Sequence, residues 1–301
     1  MRDDKILVLG GGGFIGTNLC NQLVASGRPV VAFGRSFSER LSPKVKRISG
    51  NFGDISEIRE AVKEADIVYH LIHGTNPPSV NNNIISDLSL TVQPTVSMLE
   101  ACVEAGVKRV IFASSGGTVY GLNGKIASRE DDFTAPISAY GAHKLLIENY
   151  LRVFYQTKGL EYISLRISNP YGPYQPVHTG VGLIAAILHA VKEEVTVPVF
   201  GDGQNERDYI YISDLVAALT LSLNYTGTHR IFNIGSGEGK SVNEIIEFIE
   251  AMIGKNVRKL YKPFRPFDVR KSILDISLAK IELGWHPEVE LAEGIQRSLV
   301  Y

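Results

Sequence analysis

Ile6-Leu7-Val8-Leu9-Gly10-Gly11-Gly12-Gly13-Phe14-Ile15-Gly16 is the stretch whose reading decides the fold. Four consecutive apolar residues bounded by glycine read as a short strand, and Leu19, Leu23 and Val24 then recur at helical spacing. Between strand and helix, Gly10, Gly13 and Gly16 stand three apart. Side chains this small let the backbone turn tightly, let a pyrophosphate approach the helix N-terminus and let the helix pack on the strand. The unpaired amides of the first turn and the positive end of the helix dipole then attract the anion. A glycine cluster alone marks a loop; the flanking strand and helix make this one a candidate dinucleotide site.

Outward from that turn, Pro29 to Phe33 reads as a second strand ending in Gly34-Arg35-Ser36. A fold that selects NAD usually places a carboxylate here for the adenosine ribose hydroxyls. This chain supplies a guanidinium and a hydroxyl instead, which suit a 2′-phosphate, so the pattern leans to NADP over NAD. Lys46-Arg47-Ile48, Ile67 to Leu71 and Arg109 to Ala113 read as three more strands, with helical patterns over 55–64 and 86–105. Pro94 must sit at a boundary of the second helix or bend it. The polar, proline-rich stretch 76–83 reads as a loop beside the cofactor. Short apolar strands alternating with helices predict a Rossmann-type α/β fold with a doubly wound parallel sheet.

Composition narrows the function. The chain has 301 residues, 31 basic against 32 acidic, for a formal charge of −1. That balance argues against a sequence-independent grip on nucleic acid or an anionic membrane. No run approaches the roughly 20 apolar residues of a membrane span, and no signal-peptide pattern precedes the first strand, so a cytoplasmic protein is expected. Cys20 and Cys102 lie in helical patterns and read as buried free thiols. His70 and His73 stand three apart without a third ligand nearby in sequence, so no metal is expected. Asp54 either caps the helix that follows or accepts from the adenine amino group.

The chemistry centres on Tyr140-Gly141-Ala142-His143-Lys144, which opens a helix running to about Tyr155. A tyrosine and a lysine four apart share one helix face. An ammonium beside a phenol favours the phenolate, which is expected to lower the Tyr140 pKa and make the residue a usable acid or base. Ser114 to Gly121, at the end of the fifth strand, offers Thr118 or Ser115 as a hydroxyl for the same substrate oxygen.

These pieces together resemble the extended short-chain dehydrogenase/reductase family, in particular the NAD-dependent epimerase/dehydratase branch typified by UDP-glucose 4-epimerase. Further matches are Tyr69-His70-Leu71, Leu165 to Pro173, Phe200 to Gly203, Arg207-Asp208-Tyr209, Phe232 to Gly237 and Leu283-Gly284-Trp285. The resemblance implies Tyr140 as acid/base, Lys144 as its partner and nicotinamide-ribose ligand, and Thr118 as hydroxyl helper. The cofactor set expected is Gly10, Gly13, Phe14, Ile15 and Gly16 at the turn, Gly34, Arg35 and Ser36 after the second strand, where the acid of NAD-bound epimerases is missing and the epimerase reading is weakened, and Asp54, Ile55 and Leu71 beyond. Asn169, Arg207 and Arg265 would hold a substrate diphosphate, Val199 and Phe200 would border the nucleoside, and Asp268 would contact its ribose.

The partner implied is a nucleoside-diphosphate sugar, bound between a cofactor domain (1–165) and a smaller mixed α/β substrate domain (166–301). A helix and strand near 213–235 would return to the main sheet. Helices 86–105 and 138–155 match those that pair subunits in the family, so a homodimer is implied.

Departures refine the expectation. Gly116 stands where many relatives carry serine. Val119-Tyr120 replace the Asp-Glu pair of sugar 4,6-dehydratases, which argues against dehydration. Ser272 stands where hexose-restricted relatives carry tyrosine, leaving room for an N-acetyl group. The leading expectation is a nucleotide-sugar 4-epimerase. The alternative is an NADPH-dependent reductase of a 4-keto-6-deoxy nucleotide sugar, ahead of a non-catalytic cofactor sensor.

Overall fold

The computed structural model describes residues 4–74, 83–122, 125–177, 182–265 and 268–299. Its centre is a parallel sheet of seven strands: β1 (Ile6–Leu9), β2 (Val30–Gly34), β3 (Lys46–Ser49), β4 (Ile67–His70), β5 (Arg109–Ser115), β6 (Glu161–Ile167) and β10 (Ile231–Ile234). Their spatial order is β3-β2-β1-β4-β5-β6-β10, and every adjacent pair is parallel. The fold is the expected Rossmann-type α/β. Strands covered on both faces need continuous apolar runs rather than alternation, which is why β1 and β4 are buried throughout. The edge strand β3 is mostly exposed and carries Lys46 and Arg47, charges that discourage edge-to-edge pairing.

The layers beside the sheet contain α1 (Phe14–Ala25), α2 (Ile55–Val62), α3 (Ile84–Asp87), α4 (Gln93–Ala105), α5 (Gly116–Val119) and α6 (Ala139–Lys158). The long helix expected over 86–105 is interrupted by a π turn, Leu88–Val92, directly before Pro94. Pro94 thus sits in the first turn of α4, where its missing N–H costs nothing. Asp54 is the N-cap of α2 and accepts from the amides of Ser56 and Glu57 and from Ser56 Oγ, so the structure gives it the capping role. The proposed loop 76–83 lies outside the described residues except for Asn83, which caps α3 through the amide of Ser86.

After β6 the chain builds two small sheets before and after β10. β7 (Asn169–Tyr171), β9 (Glu206–Tyr211), β11 (Gly239–Ser241) and β13 (Lys271–Ser272) form one; β8 (Val197–Phe200) and β12 (Lys259–Lys262) form the other. Helices α7 (Leu183–Lys192), α8 (Ile212–Leu221), α9 (Val242–Ile253), α10 (Ser277–Glu282) and α11 (Leu291–Ser298) accompany them. α8 packs back on α1, and Tyr69 in β4 donates from its hydroxyl to the carbonyl of Leu219.

A buried polar network fixes the end of β5. Arg166 makes a two-pronged ion pair with Glu148, donates to the Tyr120 hydroxyl, and Ser114 Oγ donates to Glu148 at 2.5 Å. Cys20 and Cys102 are free and buried, and burial raises both thiols to about 12.

Candidate active site

Above the C-terminal ends of the sheet strands lies a cleft of about 520 Å³, where parallel sheets bind ligands. The β1–α1 turn forms its floor. Gly10 has φ of +87°, a conformation that a side chain would strain. A Cβ built on Gly16 would fall 2.1 Å from the Gly10 carbonyl oxygen, and one on Gly12 2.0 Å from that of Ser36. The N-cap of α1 is Gly13, and no side chain caps the helix. Open first-turn amides over a glycine cradle fit a dinucleotide pyrophosphate. Phe14, Ile15 and Leu71 line the cleft with these glycines. Arg35 and Ser36 are exposed just past β2, beside the turn but outside the cleft lining, as are Asp54 and Ile55.

Tyr140, Lys144, Thr118 and Ser115 line the same cleft. Ser138 caps α6 by accepting from the Gly141 amide, which starts the helix so that Tyr140 and Lys144 share its inner face. Lys144 is buried; its ammonium donates to the Ala113 carbonyl at 2.7 Å and lies 5.7 Å from the centre of the Tyr140 ring. Burial holds the lysine down to about 8, opposed by the carboxylates of Asp87 and Glu148. The expectation that lysine lowers the phenol is not met: burial first, then Asp87, pushes Tyr140 well above the usual phenol value. Desolvation and the Asp87 charge act in the same direction, and the Lys144 ammonium is directed at the Ala113 carbonyl instead. Thr118 Oγ1, Ser168 Oγ and Gln175 Oε1 all border the cleft, are buried, and make no hydrogen bond within the chain, as expected of groups that await a polar ligand.

On the opposite wall stand Asn169, Arg207 and Asp268. Asn169 donates to the Asp208 carbonyl at 2.9 Å, and Arg207 donates to that of Glu206. Burial lowers the Arg207 guanidinium, partly offset by Asp268. Arg265 pairs with Asp268 at 2.9 Å and lies over the Phe200 ring at 4.1 Å, forming a cation–π shelf beside the cleft lining rather than within it. Val199 is a correction: alternation along β8 turns its side chain into the core at 0% exposure, leaving Phe200 on the other face. Pro266 and Phe267 lie outside the described residues.

The structure explains one departure from the family pattern. A Cβ on Gly116 would meet Leu274 Cδ1 at 2.5 Å and the Arg166 carbonyl at 2.9 Å, so a serine there would displace Leu274 and press on the β6 backbone. Gly116→Ser is expected to destabilise the chain by about 2 kcal/mol through overpacking, seen as a lowered melting temperature without any gain in turnover.

Sequence reasoning missed a cluster behind Tyr140. Asp87 Oδ2 lies 2.5 Å from His143 Nδ1, and Asp87 Oδ1 lies 3.2 Å from His73 Nε2. His143 falls inside the Tyr140–Lys144 motif, which is the one signal that could have flagged it. No group of three or more metal-ligating side chains with suitable geometry occurs among the described residues, and no described helix is long and apolar enough to cross a membrane.

A glycine cradle, a tyrosine–lysine pair and a cation-bearing wall in one cleft define a Rossmann-type enzyme of dinucleotide-dependent chemistry. The model of the NAD dependent epimerase/dehydratase family matches residues 6–235, and the chain belongs to that family. It is 36% identical to dTDP-4-dehydro-6-deoxyglucose reductase of Escherichia coli, over 99% of this chain and 97% of that one. The crystal structure of Thermotoga maritima UDP-glucose 4-epimerase with UDP-glucose superposes with a TM-score of 0.94 at 34% identity, covering 99% and 98% of the two chains. Thermus thermophilus UDP-glucose 4-epimerase, solved with NAD, superposes at 0.92 with 30% identity, covering 98% of each.

Proposed function

We propose that the protein is a nucleotide-sugar 4-epimerase. The observation that carries this reading is the open cleft wall at Gly117, with Ser272 standing behind it and outside the cleft lining. A Cβ built on Gly117 meets nothing closer than Ser115 Oγ at 3.9 Å and Ser272 Oγ at 4.0 Å. Small residues there leave room for a keto sugar to present either face, and for an N-acetyl group on the ring. The likeness to UDP-glucose 4-epimerases supports the same reading.

Gly10, Gly13 and Gly16 would hold the cofactor pyrophosphate, and Lys144 its nicotinamide ribose. The nicotinamide, when bound, supplies a hydride acceptor and donor. Tyr140, once ionised, takes the proton of the carbon-4 hydroxyl as the sugar is oxidised, and the neutral phenol so formed gives it back to the same oxygen as the 4-keto sugar is reduced. Thr118, with Ser115 beside it, hydrogen-bonds that oxygen. Asn169 and Arg207 hold the diphosphate while the ring turns, with Arg265 and Asp268 closing the outer edge. The exposed Ile85, Leu88 and Leu90, with Val153 of α6, form an apolar face that a second copy would cover.

Incubation with UDP-sugars and no added cofactor, followed by NMR of the sugar, is expected to show interconversion at carbon 4. Turnover only with stoichiometric NADPH and a 4-keto-6-deoxy sugar would instead establish the second reading, a reductase. That reading is favoured by the end of β2, where Arg35 and Ser36 are exposed and no acid stands in the segment, and by the Escherichia coli relative. The same segment makes a separate prediction. Arg35→Ala is expected to weaken NADP binding about tenfold and leave NAD within about twofold, measured by titration calorimetry, as for loss of one charge-assisted contact.

A further inference from the structure

We propose that Asp87 is a positioning residue for the Tyr140 phenol: a buried carboxylate that draws His73 and His143 together and so holds the Tyr140 ring in the wall of the cleft. The proposal deepens the functional reading above and rests on it for the role of Tyr140.

Asp87 is 0% exposed at the end of α3, where the π turn begins. An isolated carboxylate so buried would be costly, so its partners define it. From α6 comes His143, 2.5 Å from Oδ2. From the loop after β4 comes His73, whose Nε2 lies 3.2 Å from Oδ1, a charge contact outside hydrogen-bond geometry that leaves the loop fastened to Asp87 through Thr91. From the π turn comes Thr91, whose hydroxyl donates to Oδ1 at 3.1 Å and accepts from the Gly74 amide at 2.9 Å. Thr95, one turn further, meets His70 Nε2 at 2.9 Å. Asp87, Thr91 and Thr95 therefore form a ladder along one helix face that fastens the segment His70–Gly74.

That segment ends against the catalytic wall. The His73 and Tyr140 rings meet edge to face with centroids 4.5 Å apart. His143 lies on the same helical turn as Tyr140 and next to Lys144. One carboxylate thus ties the strand-end loop on one side of Tyr140 to the helix that carries it. The charged and titratable groups facing this point are His73 and His70 from the β4 end, and Tyr140, His143, Lys144 and Glu148 from α6. The Asp87 charge opposes ionisation of Tyr140 and favours the Lys144 ammonium. Removing it should let the phenol lose its proton at lower pH.

The test compares pH–rate profiles of the full chain, Asp87→Asn, His73→Gln and Tyr140→Phe on the nucleotide sugar that the chain turns over. Asp87→Asn is expected to lower kcat about tenfold with KM within about twofold, and to move the limb assigned to the phenol to lower pH by about one pH unit. His73→Gln, at a position that borders the cleft, is expected to lower kcat with the same unchanged KM, and it keeps the proposal testable if Asp87→Asn does not fold. An equal loss of rate at every pH with the limb unmoved would mean a merely structural role, and unchanged kcat in both variants would likewise overturn the proposal. If Tyr140→Phe retains full activity, the functional reading fails instead.

Discussion

Tyr140→Phe is expected to lower kcat by about 10³-fold while nucleotide-sugar affinity stays within about threefold, read from steady-state turnover and calorimetry of the same preparation. The reasoning is atomic. Phenylalanine keeps the ring that meets His73 edge to face at 4.5 Å and the ring position 5.7 Å from the Lys144 ammonium. Only the hydroxyl is lost, and with it the group proposed to move the carbon-4 proton. Asn169 and Arg207, the residues proposed to hold the diphosphate, are untouched, so binding is expected to survive. A cofactor-binding sensor without turnover predicts the opposite, a variant with its function intact. Neutral phenol dominates in the ligand-free protein, because burial and Asp87 hold the proton on. That form is ready to donate, and the oxidising direction must draw the proton off against both effects.

Gly16→Ala is expected to abolish retention of dinucleotide through purification and to weaken its binding at least about 100-fold, near 2.7 kcal/mol. The added methyl would sit 2.1 Å from the Gly10 carbonyl oxygen and 2.7 Å from Gly11 Cα, both backbone atoms of the cradle itself. Relief requires α1 to move off the turn, which separates the amides proposed to hold the pyrophosphate. Gly53→Ala is the control: its new methyl meets nothing closer than 3.5 Å, and it should bind and melt like the parent. Absorbance at 260 nm of the purified proteins, with thermal melts, separates the two results.

The legible part of this protein is the part whose physics is local. Buried parallel strands must be apolar along their length, so β1, β2 and β4 could be read within a residue or so of their ends. Gly16 is dictated by a backbone approach that any side chain would block and Gly10 by its left-handed backbone, while a Cβ on Gly13 would sit a tight 3.3 Å from the Gly10 carbonyl oxygen. The Tyr140–Lys144 spacing is a helix-face rule, and both residues reached one cleft. What escaped depends on distant chain segments. Asp87 and His143 lie 56 positions apart, and nothing periodic connects them. The π turn has no residue signature beyond Pro94 after it. The Val199 side chain escaped because β8 alternates, and one register step exchanges a core side chain for one on the outer face. The raised Tyr140 phenol escaped because desolvation depends on what covers a group.

The position of β10 has a consequence for how the chain is made. Its Phe232 and Asn233 are registered against Leu165 and Arg166 of β6, yet the ribosome must first build the three minor strands β7, β8 and β9. Throughout that interval the outer rim of β6 presents bare amides and carbonyls to whatever strand passes by. A nascent chain halted before Ile231 is therefore a sticky species, while one released after Ile234 has its rim sealed. Premature stop codons in this span should yield insoluble fragments rather than a shortened working enzyme.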